Sequence, residues 1–247
     1  DSRASAIYAD TWLPDSVLFD SIKGKIRWHK QDNEWAVNTN GLQIWNDDLN
    51  ILLSGEVEQI KGVTDTDLTL TLQDIAANKW RQYVPKRILP DDFEKWSADA
   101  FQQGIIRSGT IVMKGDPTAF PFDTEPDQGK FDMQLNVEDV QLHYGPGWPD
   151  LMHVNGTVEG QGNNLLIQSE SGQIAGFNFN KVTTTISNLV RSNPILKVSG
   201  TLNGSTSNAL AFLKKSPLKS RFGSVDDWLQ AKGQSNIQLD LTVPLVD

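Results

Sequence analysis

Cysteine is absent from the 247 residues, which removes disulfides, thiolate nucleophiles and cysteine-ligated zinc together. With three histidines in the whole chain, imidazole chemistry has few residues to draw on. No run approaches the roughly 20 apolar residues of a membrane-spanning helix, and no charged start followed by an apolar stretch marks a signal peptide. Basic residues are in the minority, 22 Lys and Arg against 31 Asp and Glu for a net charge of −9. Short pairs such as Lys214-Lys215 do not make a phosphate-binding patch, so a nucleic-acid partner is not expected. Lack of cysteine is compatible with a bacterial envelope protein. The chain opens at Asp1-Ser2-Arg3 without a methionine; it reads as a piece of something longer, with any membrane anchor outside it.

What is present is alternation. Leu68, Leu70 and Leu72 interleave with Thr69, Thr71 and Gln73, and Phe131, Met133, Leu135 and Val137 interleave with Asp132, Gln134, Asn136 and Glu138. Near the end Ile237, Leu239, Leu241, Val243 and Leu245 do the same. Period two with one apolar side is the mark of an antiparallel sheet covered on one face, so the fold class is mainly β. Helices are few. "PDDFEKWSADAFQQG" has Pro90 and two aspartates suited to a helix start and Gly104 suited to its end, with Phe93, Trp96, Ala100 and Phe101 on one side. Shorter helices are expected over Asp74 to Tyr83, Thr206 to Lys215 and Ser224 to Gln230.

The pattern repeats. Laying Phe19 to Ile44 on Leu151 to Ile174 puts Gly24 on Gly156, Pro85 on Pro217 and Trp96 on Trp228, each 132 residues apart (156−24, 217−85, 228−96). Units of amphipathic strands and short helices cannot bury an apolar face alone and stack side by side. The expected organisation is a first β unit over 1–115, a connecting strand segment over 116–150 and a second β unit over 151–247. Together they form one elongated, curved antiparallel sheet with a groove-like inner side and a few short helices.

"WRQYVPKRILPDDFEKW", "FPF" at Phe120 to Phe122, "GKFDMQL", "GWPDL", "SGQIAG", "KSPL" and "IQLDLTVPL" follow one another from Trp80 to Asp247. In this order they resemble the YhdP family of AsmA-like bacterial envelope proteins; residues 1 to about 79 match less specifically. The resemblance implies a periplasmic β-rich segment of a larger protein anchored in the inner membrane. Its partners would be phospholipid, neighbouring repeats of the same chain, and the inner membrane through an N-terminal anchor. It implies moving phospholipid between inner and outer membranes, with acyl chains shielded in an apolar groove, and no catalytic motif or cofactor to carry over.

Other chemistry has fewer residues to rest on. The clusters Phe120-Pro121-Phe122 and Gly147-Trp148-Pro149 suit either an aromatic platform for a sugar or headgroup, or turns at the sheet edge with rings packed inward; the second fits the flanking Pro and Gly. His143 and His153 lack a third ligand at metal spacing, and His29 has no partner. Asp91-Asp92 and Asp226-Asp227 sit where helix dipoles favour them, and Asp47-Asp48 and Asp65/Asp67 read as turns. Asn155-Gly156 and Asn203-Gly204 read as hairpin turns. The candidate lipid-groove residues are therefore Leu68, Leu70, Leu72, Phe131, Met133, Leu135, Val137, Ile237, Leu239 and Leu241. Leucine pattern fits an open groove and a closed core equally, and a carbohydrate-binding or purely structural β module remains the alternative.

Overall fold

A computed structural model describes residues 2–7, 17–84, 91–122, 128–190, 193–219 and 232–245. Its strands are β1 (Ser2–Ile7), β2 (Val17–Lys23), β3 (Ile26–Gln31), β4 (Glu34–Asn46), β5 (Leu49–Ile60), β6 (Val63–Ala76) and β7 (Phe101–Gly115). They continue as β8 (Gly129–Leu142), β9 (Leu151–Gln161), β10 (Asn164–Ile174), β11 (Phe177–Ser187), β12 (Ile195–Ser205) and β13 (Gln234–Pro244). Helices α1 (Asp91–Ala100) and α2 (Thr206–Lys215) interrupt them. All the described strands belong to one open antiparallel sheet in which nearly every strand pairs with its neighbour in sequence, β3 standing off the main path on β4. The expected fold class holds. Short hairpin connections make this meander the least costly way to join amphipathic strands.

Strand length gives the sheet its reach. At about 3.3 Å per residue, strands of 11 to 15 residues such as β13 and β7 extend roughly 36 to 50 Å. Bulges interrupt the sheet's ladders. Register shifts fall between Ile106 and Ser108 of β7, between Val137 and Val140 of β8, between Ser169 and Ser171 of β10 and between Asn180 and Thr183 of β11. An extra residue in one strand kinks it and raises its twist.

The helix α2 has the expected bounds. Ser205 caps it, its hydroxyl accepting from the Asn208 amide at 3.2 Å, and Lys214 and Lys215 complement the dipole at its other end. Three expectations are corrected. Asp74 to Tyr83 is not one helix but the end of β6, a turn and a 3-10 turn over Trp80–Tyr83, because Ala76 and Ala77 spend their amides on the carbonyls of Asp48 in the β4–β5 turn and of Gly104 in β7. The helix over Pro90 to Gly104 stops at Ala100, and Phe101 already pairs with Leu142. Asn155-Gly156 and Asn203-Gly204 lie inside β9 and β12, and Asp65 and Asp67 inside β6, rather than in turns. Gly156 is there for proximity: a Cβ on it would sit 2.1 Å from the Gln168 carbonyl oxygen. Of the repeat landmarks, Pro85 and Trp228 lie outside the described residues, as do Asp226-Asp227 and the helix expected over Ser224 to Gln230.

Candidate functional site

The three alternating strands read from the sequence are far apart in the sheet, yet their pairing sets them in common rows. Ile22 pairs with Ile44, Ile44 with Ile51, Ile51 with Leu72, Leu72 with Gly109, and Gly109 with Leu135. The row goes on through Val158, Ile167, Thr184 and Val198 to Leu241. Paired residues share a face, so this is one stripe across eleven strands, apolar except at Gly109 and Thr184 and about 48 Å long at 4.8 Å per strand. A second stripe, one pleat along, runs from Leu42 through Leu70, Ile111, Met133 and Leu165 to Val243. Leu68 and Phe131 flank the stripes on one side of β6 and β8, and Val137, Ile237 and Leu239 flank them on the other side of β8 and β13.

The candidate residues therefore lie on a single face. Strands β7, β10 and β12 supply as much of it as the three singled out, and their sequence signal was there: Ile111 and Met113, Leu165 and Ile167, Leu196 and Val198 alternate over shorter runs. Glycines at Gly109, Gly160 and Gly200 interrupt that alternation, but each leaves room for a neighbour's side chain. The Leu135 side chain occupies the space above Gly109, 2.5 Å from where a Cβ would be.

Burial divides this face in two. On the side of the bulges towards α1 and α2 it is packed: Leu49, Leu72 and Ile75 form one cluster with Trp80 and Tyr83 laid on it, and Val140, Val154, Phe179 and Val182 form another under Phe101. On the other side Leu68, Phe131 and Met133 are half-buried, Leu70, Leu135 and Val137 are half-buried where they pack against the edges of those clusters, and Leu241 is 46% exposed. Of the candidates, Leu72 alone is fully buried, at 8%. The whole chain exposes 15696 Å², whereas a compact protein of this length exposes about 10,900 Å². Part of that excess is the open sheet's own two faces and edges.

Aromatic clusters bound both sides of the half-buried zone. Trp80, Phe93, Trp96 and Phe101 close a ring of edge and tilted contacts 5.4 to 6.3 Å apart. Trp96 donates its indole N–H to the Tyr144 carbonyl at 3.2 Å, and Trp148, in the same loop as Tyr144, stacks on Phe212 of α2 at 5.9 Å. That loop is held by Asp150, which accepts from Gln141 Nε2 at 3.0 Å and lies 2.8 Å from His143 Nδ1. The His143 bond, and then the Gln141 bond, hold the Asp150 carboxyl below its usual range, and burial pushes the Tyr144 phenol up to about 12. At the opposite strand ends, Phe120 packs on Phe131 at 5.3 Å and Phe122 is buried against Gly129. Both proline-bearing clusters thus have their rings turned inward.

The two histidines are used singly. His143 pairs with Asp150, and His153 Nδ1 lies 2.6 Å from Asp139. Among the described residues no three candidate ligands gather round one point, and no helix is long and apolar enough to cross a membrane.

Comparison with known proteins agrees with the resemblance carried by the motifs. No solved structure matches the chain. The intermembrane phospholipid transporter YhdP of Escherichia coli (strain K12) is 23% identical over 172 residues, covering 70% of this chain and 13% of that protein, so the chain spans a small part of the relative's length. The family described as YhdP protein matches residues 1–247, and the chain belongs to that family.

Proposed function

We propose that these residues are a non-enzymatic, periplasmic segment of a longer lipid-transport protein anchored in the inner membrane. The half-buried zone of its apolar face is a trough that shields phospholipid acyl chains between inner and outer membranes. The observation that carries this reading is the row from Ile22 to Leu241, apolar except at Gly109 and Thr184, in which Leu72 alone is fully buried. Each methylene removed from water on such a face gains about 0.8 kcal/mol, which suits a cargo that is mostly methylene. The trough runs along the strand order, so repeats stacked at either edge of the sheet lengthen it. On this reading 1–115 and 151–247 are two such units joined by 116–150. Edge pairing then also solves the problem of strands with unsatisfied backbone groups.

The test uses the full-length protein, with a photocrosslinking amino acid at Leu135 in one variant and at Gln134, its exposed neighbour on the opposite face, in the other. Phospholipid labelling at Leu135 and not at Gln134 is the expected result. A Leu135→Asp variant that carries the photocrosslinking residue at Met133 instead is expected to melt near the parent and to lose labelling, since a charge on a partly exposed face blocks the path without being fully buried. Absence of lipid at Leu135 in a protein that still transports lipid would refute the trough, and unfolding of Leu135→Asp would mark the site as closed core. The sugar-binding alternative needs exposed rings; Trp148 and Phe122 are turned inward, and Trp28 of β3, 75% exposed, is the ring it would use.

A further inference from the structure

Between the packed and half-buried zones lies a line of irregular backbone that the transport reading does not use. Asp74, Asp139, His153 and Lys181 all adopt left-handed φ, at 53°, 53°, 54° and 57°, on β6, β8, β9 and β11. Only a minority of non-glycine residues do so, Asp and His more readily than most. Arg107 of β7 and Glu170 of β10 fall at register shifts at the same level. Adjacent strands thus carry one irregular residue each, and the row reads Asp74, Arg107, Asp139, His153, Glu170, Lys181, alternating acidic and basic.

Each bulge takes a backbone group out of the ladder, and buried backbone groups need partners. Here side chains on the face opposite the trough supply them. The Asp139 amide donates to Asn155 Oδ1 at 3.0 Å; Asn155 Nδ2 donates to the His153 carbonyl at 2.9 Å and to Ser171 Oγ at 3.1 Å. Across the strands, Arg107 forks between Asp74 Oδ1 at 2.5 Å and Glu138 Oε2 at 2.6 Å, and His153 meets Asp139. Register sets Glu170 beside Lys181, since Ser169 pairs with Val182 and Gly172 with Phe179. The bulges also keep the apolar residues on one side: Val137 and Val140 share the trough face only because an extra residue stands between them.

We propose that this line is a charge-pinned hinge that sets how far the helix-bearing strand ends bend over the apolar face, and so how wide the trough opens. The bulged line is where main-chain pairing is weakest, and the alternating acidic and basic side chains on its outer side draw neighbouring strands together there. Exposed pairs are individually weak and salt-sensitive, which gives a joint that yields rather than a rigid corner. The proposal concerns geometry and stands or falls apart from the identity of the cargo.

The chain's lack of cysteine makes a distance measurement direct. In the full-length protein, with any native cysteine elsewhere replaced, spin labels are placed at Lys95 on α1 and at Asp65 on β6, both exposed and on opposite sides of the line. Pulsed electron resonance then reads the distance between them in three backgrounds: Arg107→Gln, which removes the fork; Asp139→Asn, whose amide tolerates left-handed φ; and Lys114→Gln, which breaks the exposed 2.9 Å pair with Asp67 away from the line. Expected are a broader distribution shifted to longer distance in the first two and no change in the third. An unchanged distribution in both Arg107→Gln and Asp139→Asn overturns the hinge, and so does an equal shift in Lys114→Gln. Should Arg107→Gln not fold, Asp139→Asn with Lys114→Gln decides alone. Lipid crosslinking at Leu135 is scored separately, so loss of transport with an unchanged distance counts against the hinge and not against the trough.

Discussion

Leu49 and Leu241 are the same side chain on the same face of the same sheet, yet they are 2% and 46% exposed. Replacing each with alanine therefore separates the packed zone from the open one. At Leu49, in contact with the cluster of Phe19, Leu72 and Ile75, three heavy atoms leave a closed site. A cost of about 2 to 5 kcal/mol is expected from lost transfer energy plus the cavity. At Leu241 roughly half of the side chain is already in water, no cavity forms, and about 1 kcal/mol is expected, half of the lower range for burying a leucine. For a chain of this size each kcal/mol moves the midpoint of melting by about 2 to 4 °C, so the variants should differ clearly in a thermal scan. Urea denaturation with an unchanged slope would confirm that stability and not the unfolded state has moved. If Leu241→Ala costs as much as Leu49→Ala, the face is covered in solution and the sheet is not divided into a packed and an open zone.

Two further predictions concern the framework. Gly55→Ala would bring a Cβ to 1.9 Å from the Asp67 carbonyl oxygen at a φ of +126°, so a loss of about 3 kcal/mol or more is expected from strain and overpacking together. Gly62→Ala, at φ +83° with open space around it, should cost only about 1 to 2 kcal/mol; equal losses in denaturant would contradict the close approach. For Asp150, the folded carboxyl titrates below the unfolded one. Its stabilisation is thus present above the ordinary aspartate value of about 3.9 and disappears as pH falls through the lower folded value. Melting followed from about pH 5 to about pH 3 should fall less steeply for Asp150→Asn than for the native protein; parallel curves would show that the His143 and Gln141 bonds do not act on the charge.

Much of this protein is legible in its sequence for one reason. Successive side chains of an extended chain point to opposite sides, so the alternation of Phe131, Met133, Leu135 and Val137 with polar residues already states that β8 has an apolar face. Capping chemistry is equally local, which is why α2 begins after Ser205 and ends with its lysines as expected. The misreadings share a cause as well. Asn155-Gly156 satisfies local turn preferences, but the strand continues because Asn155 is needed by Asp139 and Ser171 on its neighbours, and the helix expected over Asp74 to Tyr83 gives way to cross-strand partners for Ala76 and Ala77. Propensity acts over a few residues; pairing between strands overrides it.

What only the tertiary structure decided is which apolar residues meet and what covers them. Leu72, Leu135 and Leu241 are 63 and 106 residues apart (135−72, 241−135), and nothing in their own strands sets them in one row; hydrogen-bond register through the intervening strands does. Val140 and Leu142 fall out of the period that ends at Val137, because an inserted residue changes which side a strand presents, and a bulge is visible only against its partner strand. Whether a leucine is core or open wall is likewise invisible to its neighbours in sequence. The hydrophobic effect rewards removal from water by any apolar surface, and which surface arrives, the helices at one end of the strands or Phe120 and Phe122 at the other, is settled by the fold.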